Sequence, residues 1–183
     1  GKYTLTGSYR KDGSSYLPLA NRWTGFYSIG GVWDVTKESF ARNNRTLNSL
    51  RIKASYGGSG NANNFPANYF YQSTYANGTY SGLTTQVVNT PGNPDAKWET
   101  TYTLNFGVDF ELFNRRLYGD LNLYDKRTKD LYVDRRIAAE GGGFTIPVNA
   151  GQLQNKGFEW NINADVIRKK DLTVTLFANG GYN

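Results

Sequence analysis

Strict alternation of apolar and polar residues, repeated along seven stretches, constrains this chain more than any other feature. From Tyr102 to Leu112 the residues Tyr102, Leu104, Phe106, Val108, Phe110 and Leu112 interleave with Thr103, Asn105, Gly107, Asp109 and Glu111. Successive side chains of a strand point to opposite faces, so one face is oily and the other carries carboxylates. Helices need a period near 3.6, and this pattern does not supply it.

The same reading places strands at about Lys2 to Arg10, Ser28 to Thr36, Ser49 to Gly57, Lys97 to Phe113, from Arg116 with a bulged continuation through Asp130 to Ile137, Lys156 to Ile167, and Leu172 to the C-terminus. Between them lie long loops at 12–26, 59–96 and 138–154 and short turns at 37–47, 114–115 and 168–171. Numbering the strands up and down in turn puts every long loop at one end and every short turn at the other. Outer-membrane barrels are built that way, with long outer loops and short periplasmic turns. The stretch Asn61 to Asp95 is rich in Tyr, Asn, Gly and Thr, includes Phe65, and has room for a hairpin of its own. So long an irregular segment is out of place in a compact soluble domain.

Composition removes several function classes. The 183 residues contain no Cys and no His, so the chain has no thiolate ligand, no imidazole ligand and no imidazole base. Neither a metal nor another cofactor is expected. The net charge of +6 is scattered, and its densest run, Arg168 to Lys170, reads as a solvated turn, so no nucleic-acid partner is expected. Asp109 and Glu111 share a strand face, yet nothing in the pattern builds a cleft around them, and an enzyme is not expected. Gly141 to Gly143 lacks the strand–turn–helix setting of a phosphate cradle. No apolar run approaches the ~20 residues of a spanning helix, which leaves a barrel untouched. Both ends of the sequence read as cut from a longer chain.

A soluble carbohydrate-binding β-sandwich would alternate in the same way. Three features favour an antiparallel transmembrane β-barrel segment instead. The strands are long enough to cross a bilayer at a tilt. Aromatic residues (Tyr9, Trp33, Tyr56, Trp98, Tyr102, Phe158 and Trp160) stand near strand ends, where interfacial girdles form. A stand-alone sheet of this kind would also leave raw edges.

Six ordered segments resemble consecutive motifs of SusC/RagA-type TonB-dependent outer-membrane transporters. They are Arg10 to Ser15, Leu50 to Gly57 leading to Gly60 and Asn61, Asn93 to Thr100, Asn105 to Phe110, Tyr124 to Leu131, and Asn149 to Gly151 followed by Asn155 to Glu159. The resemblance covers nearly all of residues 1–183 and corresponds to the C-terminal part of the barrel. It implies about seven strands of a plugged barrel of about twenty-two, with the plug domain and amino-terminal strands outside this sequence. It further implies an importer of glycans, oligosaccharides or peptides in the bacterial outer membrane. A SusD-like surface lipoprotein would form the lid, and TonB would pull through an N-terminal segment not in this chain. A passive porin or adhesin barrel is the alternative within the membrane class.

On this reading Leu104, Phe106, Val108, Phe110, Ile162 and Leu176 meet outer-membrane lipid. Arg10, Arg51, Lys53, Asp109, Glu111, Asp120, Glu159 and Asp165 face a hydrated lumen or the plug, because unpaired charge is costly against hydrocarbon. The loop aromatics Trp23, Phe26, Tyr69, Phe70 and Tyr71, with Tyr75 and Tyr80, are candidates to stack on substrate. They are equally suited to packing the loops or touching the lid protein.

Overall fold

Alternating runs become strands here because each can place its apolar residues on one face while pairing its backbone with a neighbour on either side. The computed structural model describes residues 1–42, 44–62 and 69–183, and Phe65 lies outside them. Its strands are β1 (Tyr3–Gly13), β2 (Trp23–Asp34), β3 (Leu47–Asn61), β4 (Thr74–Tyr80), β5 (Leu83–Thr90), β6 (Glu99–Leu112), β7 (Leu117–Arg136), β8 (Thr145–Lys169) and β9 (Leu172–Tyr182). Seven of them form one antiparallel sheet in the order β1-β2-β3-β6-β7-β8-β9, and β4 and β5 form a separate hairpin. Consecutive main-sheet strands alternate in direction, so β1, β3, β7 and β9 run toward the long-loop end. Among the described residues no helix is long and apolar enough to cross a membrane.

Register fixes the two faces. Leu50, Ile52, Ala54 and Tyr56 of β3 pair with Phe110, Val108, Phe106 and Leu104 of β6. These β6 residues pair with Gly119, Leu121, Leu123 and Asp125 of β7, and Leu121 and Leu123 with Trp160 and Phe158 of β8. All share the apolar face. Among the described residues no second sheet covers it: Leu104 is 51% exposed, Phe106 43% and Leu176 61%. A soluble sandwich would bury this face, so the structure excludes that alternative for the main sheet.

At the long-loop end β1, β2, β3 and β8 outrun their sequence-based limits. The expected loop 138–154 shrinks because β8 begins at Thr145, where Arg136↔Thr145 opens its ladder with β7. Likewise β2 begins at Trp23 rather than Ser28, pairing Gly13↔Trp23. In these extensions aromatic and aliphatic residues fall on both faces, as Phe26 and Tyr27 do in β2, so hydrophobic alternation fades while backbone pairing continues. The expected bulge in β7 is present between Lys129 and Leu131, with Asp130 at φ 59. The irregular stretch does contain a hairpin, β4–β5, closed by Ser81 and Gly82 at φ 49 and 80. Positive φ at both central residues is the primed turn that suits strand twist, and Gly82 adopts it without strain.

Two sequence-based placements need correction. Val35 is not a strand residue; it starts a short 3-10 turn, Val35–Lys37, and is buried. Trp98 is not a girdle residue; it is buried in a cluster with Leu17, Phe26, Ala62, Phe70 and Ala96. The chain enters β6 only at Glu99, so Trp98 follows the fold of the loop and not the alternation of the strand.

At the short-turn end, Glu38 fastens the β2–β3 turn to β1. The Tyr3 hydroxyl donates to its Oε1 at 2.6 Å, Lys2 Nζ approaches Oε2 at 2.9 Å and Trp33 Nε1 donates to Oε1 at 3.3 Å. The Tyr3 hydrogen bond, then that from Lys2, holds the Glu38 carboxyl down at about 2 from the ordinary 4.5. A depressed folded value means the anion's contribution is complete above the unfolded value and disappears as pH falls through about 2. Indole emission that differs between the intact protein and its Glu38→Gln variant should therefore titrate near pH 2. A midpoint at the ordinary carboxylate value would show that Glu38 is not clamped.

Candidate functional site

The opposite face of the sheet concentrates polar chemistry because the same parity that aligns Leu and Phe on one side aligns charge on the other. Arg51 pairs with Asp109 and Asp34, Asp109 with Asp120, and Asp120 with Asn161. Glu111 pairs with Tyr118, Glu159 with Asn122 and Asp165 with Thr175. Lys53 stands opposite Gly107. All seven charged residues expected on one face (Arg51, Lys53, Asp109, Glu111, Asp120, Glu159 and Asp165) therefore share the polar face, with Arg10 farther along it opposite Phe26.

Asp109 and Asp120 lie directly across from each other, an arrangement that would repel without compensation. Lys53 Nζ reaches Asp109 Oδ1 at 2.6 Å, and Asn122 Nδ2 donates to Asp120 Oδ2 at 2.7 Å. Gly107 makes room for this. A Cβ there would stand 3.1 Å from Lys53 Cε and 2.6 Å from the Asn122 amide oxygen. Arg115 contacts Glu111 at 3.4 Å, and Thr175 donates to Asp165 at 2.7 Å. Each ion pair is part-exposed, so it positions side chains more than it stabilises the fold. Shallow grooves run over this face. One of about 360 Å³ is lined by Thr4, Thr6, Lys53, Ser55, Asn105 and Asn122. A second, of about 300 Å³, is lined by Arg51, Asp109, Glu111, Tyr118, Asp120 and Asn163. Among the described residues no group of His, Cys, Asp or Glu is arranged to hold a metal ion.

The loop aromatics separate into two groups. Phe26 is 3% exposed and Phe70 9%, so both are covered by protein and pack the rim. Phe26 meets Trp98 edge-on at 6.1 Å, and Phe70 meets Tyr132 edge-on at 5.3 Å. Packing the loops together is one of the uses left open for these rings in the sequence, and both Phe26 and Phe70 are in that role here. Tyr71 is partly buried against the same cluster. Trp23 and Tyr69 remain open, with Lys11 Nζ 5.7 Å from the centre of the Trp23 ring and Tyr16 edge-on to Tyr69 at 5.8 Å. Tyr75 and Tyr80 are exposed on the hairpin.

The segment Asn93 to Glu99, legible in the sequence only as a motif ending in a strand, ties the rim together. Asn93 Nδ2 donates to the Pro147 carbonyl at 2.9 Å and Trp98 Nε1 to the Arg22 carbonyl at 3.2 Å. Lys97 N donates to Asn149 Oδ1 at 3.0 Å. Asn149 Nδ2 in turn donates to the carbonyls of Lys97 and Asp130, at 2.9 and 2.7 Å. Lys97 Nζ pairs with Asp130 at 2.9 Å, and the Tyr132 hydroxyl donates to the Lys97 carbonyl. Buried Glu99 accepts from Asn61 Nδ2 at 3.1 Å and from Tyr132 N at 3.0 Å. One short segment thus satisfies polar groups of the β1–β2 loop, β3, β7 and β8. The density of Asn, Trp and Glu around a Pro was the available signal.

The whole sequence, residues 1–183, matches the family model described as TonB dependent receptor-like, beta-barrel. It is 36% identical over 169 residues to TonB-dependent receptor P26 of Formosa agariphila, covering 91% of this chain and 17% of that protein. With TonB-dependent receptor SusC of Bacteroides thetaiotaomicron it shares 33% identity over 191 residues, covering 100% of this chain and 19% of that protein. Among solved structures it resembles the RagAB peptide importer in the open-open state, with TM-score 0.87, 31% identity, and coverage of 98% of this chain and 20% of that one. The closed-closed state of the same importer gives TM-score 0.82. The chain thus spans less than a fifth of the length of these two curated relatives.

Removing the Trp98 ring should open the rim locally. In the full-length protein, Trp98→Ala is expected to cost about 3–5 kcal/mol where that cluster packs. Hydrogen exchange at the amides of Ala96 and Lys97 reads this directly, and unchanged protection there would show that the cluster does not hold the segment.

Proposed function

The chain belongs to the TonB-dependent receptor β-barrel family, and from that premise we propose that it forms part of the wall of an energised bacterial outer-membrane importer. The likeness of its bare two-faced sheet to the barrel of the RagAB peptide importer, over 98% of the chain, carries this reading. The apolar face meets lipid. Its band on β6, from Leu104 to Leu112, has about the length of a tilted barrel strand's crossing. Across this band β6 is paired on both sides, with β3 and with β7, as hydrocarbon requires.

The polar face lines the hydrated interior or contacts a plug. Arg51 and Lys53 on β3 face five carboxylates (Asp109, Glu111, Asp120, Glu159 and Asp165) on β6, β7 and β8, which suits a wet surface lined by charge and not a catalytic centre. The exposed aromatics Trp23 and Tyr69, with Tyr71 beside them, remain candidates for ligand contact at the outer mouth. The substrate class is oligosaccharide, glycan or peptide. The whole protein works with a SusD-like lipoprotein lid and with TonB engaged through a segment elsewhere in the protein.

Deleting the gene for the full-length protein from its host, and following uptake of labelled oligosaccharides and peptides, tests this function. Uptake should fall on deletion and also when the proton-motive force is collapsed. Uptake that survives the uncoupler would identify a passive porin instead. For the wall itself, Val108→Arg on the apolar face should destabilise the full-length barrel by about 2–4 kcal/mol if Val108 lies near the bilayer midplane. Asn105→Arg on the polar face should be tolerated. Equal effects of the two would mean that lipid does not face Val108.

A further inference from the structure

Two grooves meet on the apolar face where it turns charged. The upper one, about 460 Å³, is lined by Tyr27, Tyr56, Tyr102, Leu104, Arg127 and Lys129, with Asp125. The lower one, about 490 Å³, is lined by Leu104, Phe106, Leu123, Lys156 and Tyr182, again with Asp125. Leu104 and Asp125 are common to both, so the pair forms one continuous surface, oily below and polar above.

Register explains the change. On this face of β7, Leu123 is followed by Asp125, Arg127 and Lys129, which pair with Leu104, Tyr102 and Thr100 of β6. On β8, Phe158 gives way to Lys156 and Gln154, opposite Asp125 and Arg127. Across β1 and β2 the same border is marked by Tyr9↔Tyr27. Tyr56 and Tyr102 stack with centroids 6.2 Å apart and planes 9° from parallel. Tyrosine rings at such a border put an apolar body against chains and a hydroxyl toward head groups.

The charges there are not mutually satisfied. Asp125 holds the Arg127 fork, with Nη2 at 2.8 Å, takes a hydrogen bond from Gln154 at 2.9 Å, and has Lys156 at 3.7 Å. A single carboxylate thus orients two cations, while Lys129 has no ion pair among the described residues. Three cations against one anion leave the patch positive. A phosphate supplies several acceptor oxygens to guanidinium, ammonium and phenol donors at once, and an acyl chain fills an oily groove directly beneath.

We propose that this face holds a lipid by its phosphate-bearing head group, with Arg127 and Lys129 on the phosphate and an acyl chain along Leu104, Phe106 and Leu123. The site rests on the reading of the apolar face as lipid-facing. Its occupant is a membrane lipid because the cationic patch continues straight into the apolar band, where free phosphate would leave the lower groove empty.

The test uses the full-length protein in phosphatidylcholine nanodiscs doped with equal amounts of phosphatidic acid and diacylglycerol, and native mass spectrometry of the lipid it retains after release. Wild type should retain phosphatidic acid in preference to diacylglycerol, and the double variant Arg127→Ala/Lys129→Ala should lower that retention about tenfold or more. The single variant Lys129→Ala, which leaves the Asp125–Arg127 fork intact, should lower it by a smaller factor. Lys126→Ala, which removes a cation from the opposite face, should leave it unchanged. Equal retention by wild type and both Arg127/Lys129 variants overturns the site, as does full displacement of the lipid by inorganic phosphate. A protein that enters nanodiscs and shows no head-group preference overturns this inference alone, whereas one that will not enter them overturns the wall reading with it.

Discussion

Backbone hydrogen bonding without water is the constraint on which the rest of this structure depends. Inside hydrocarbon each unpaired amide or carbonyl costs several kcal/mol. The ladders from β1 through β9 remove that cost strand by strand, and in doing so they fix register. Once Leu50 lies across from Phe110 and Ile52 across from Val108, the whole of β3 has no choice of face. A slip of one residue would turn Arg51 and Lys53 toward the oily side, which is why both the apolar band and the charged face follow from the same set of pairings.

The parts of the fold legible in the sequence are those where side chains report the two faces. Tyr102 to Leu112 reads directly as a strand, and the segregation of long and short connections follows from counting such runs. Thr145 to Asn155 does not read that way, because its apolar residues Ile146, Val148 and Leu153 keep no single parity across Gly151 and the register shift there, although the ladder between β7 and β8 continues through it. Hydrophobic alternation measures the height of the apolar band, and backbone pairing measures the height of the wall. The two differ most in β8, the longest strand, which spans Thr145–Lys169.

Legibility of the candidate site divides along the same line. Asp109, Asp120 and Glu159 could be placed on one face from parity alone, since period two leaves no freedom. The aromatic loops carry no such period. Phe26 and Trp98 look like any exposed ring in sequence, and only the close packing of Leu17, Phe70 and Ala96 around them decides their burial. The rim segment Asn93 to Glu99 was visible as a motif and opaque as a mechanism, because its partners Arg22, Asn61, Asp130, Tyr132, Pro147 and Asn149 are distant in sequence. The hairpin β4–β5 is rooted at this rim, where Gly92 N donates to Ser73 Oγ at 3.0 Å and Asn93 N to the Phe70 carbonyl at 3.2 Å.

The direction of the two border strands carries a consequence of simple arithmetic. Because β1 and β9 point the same way across an antiparallel sheet, they cannot zip to each other without a parallel seam. A cylinder that keeps neighbours opposed throughout can incorporate this ribbon only by inserting an odd complement of strands between its two margins. The total around the circumference is then even, whatever the diameter.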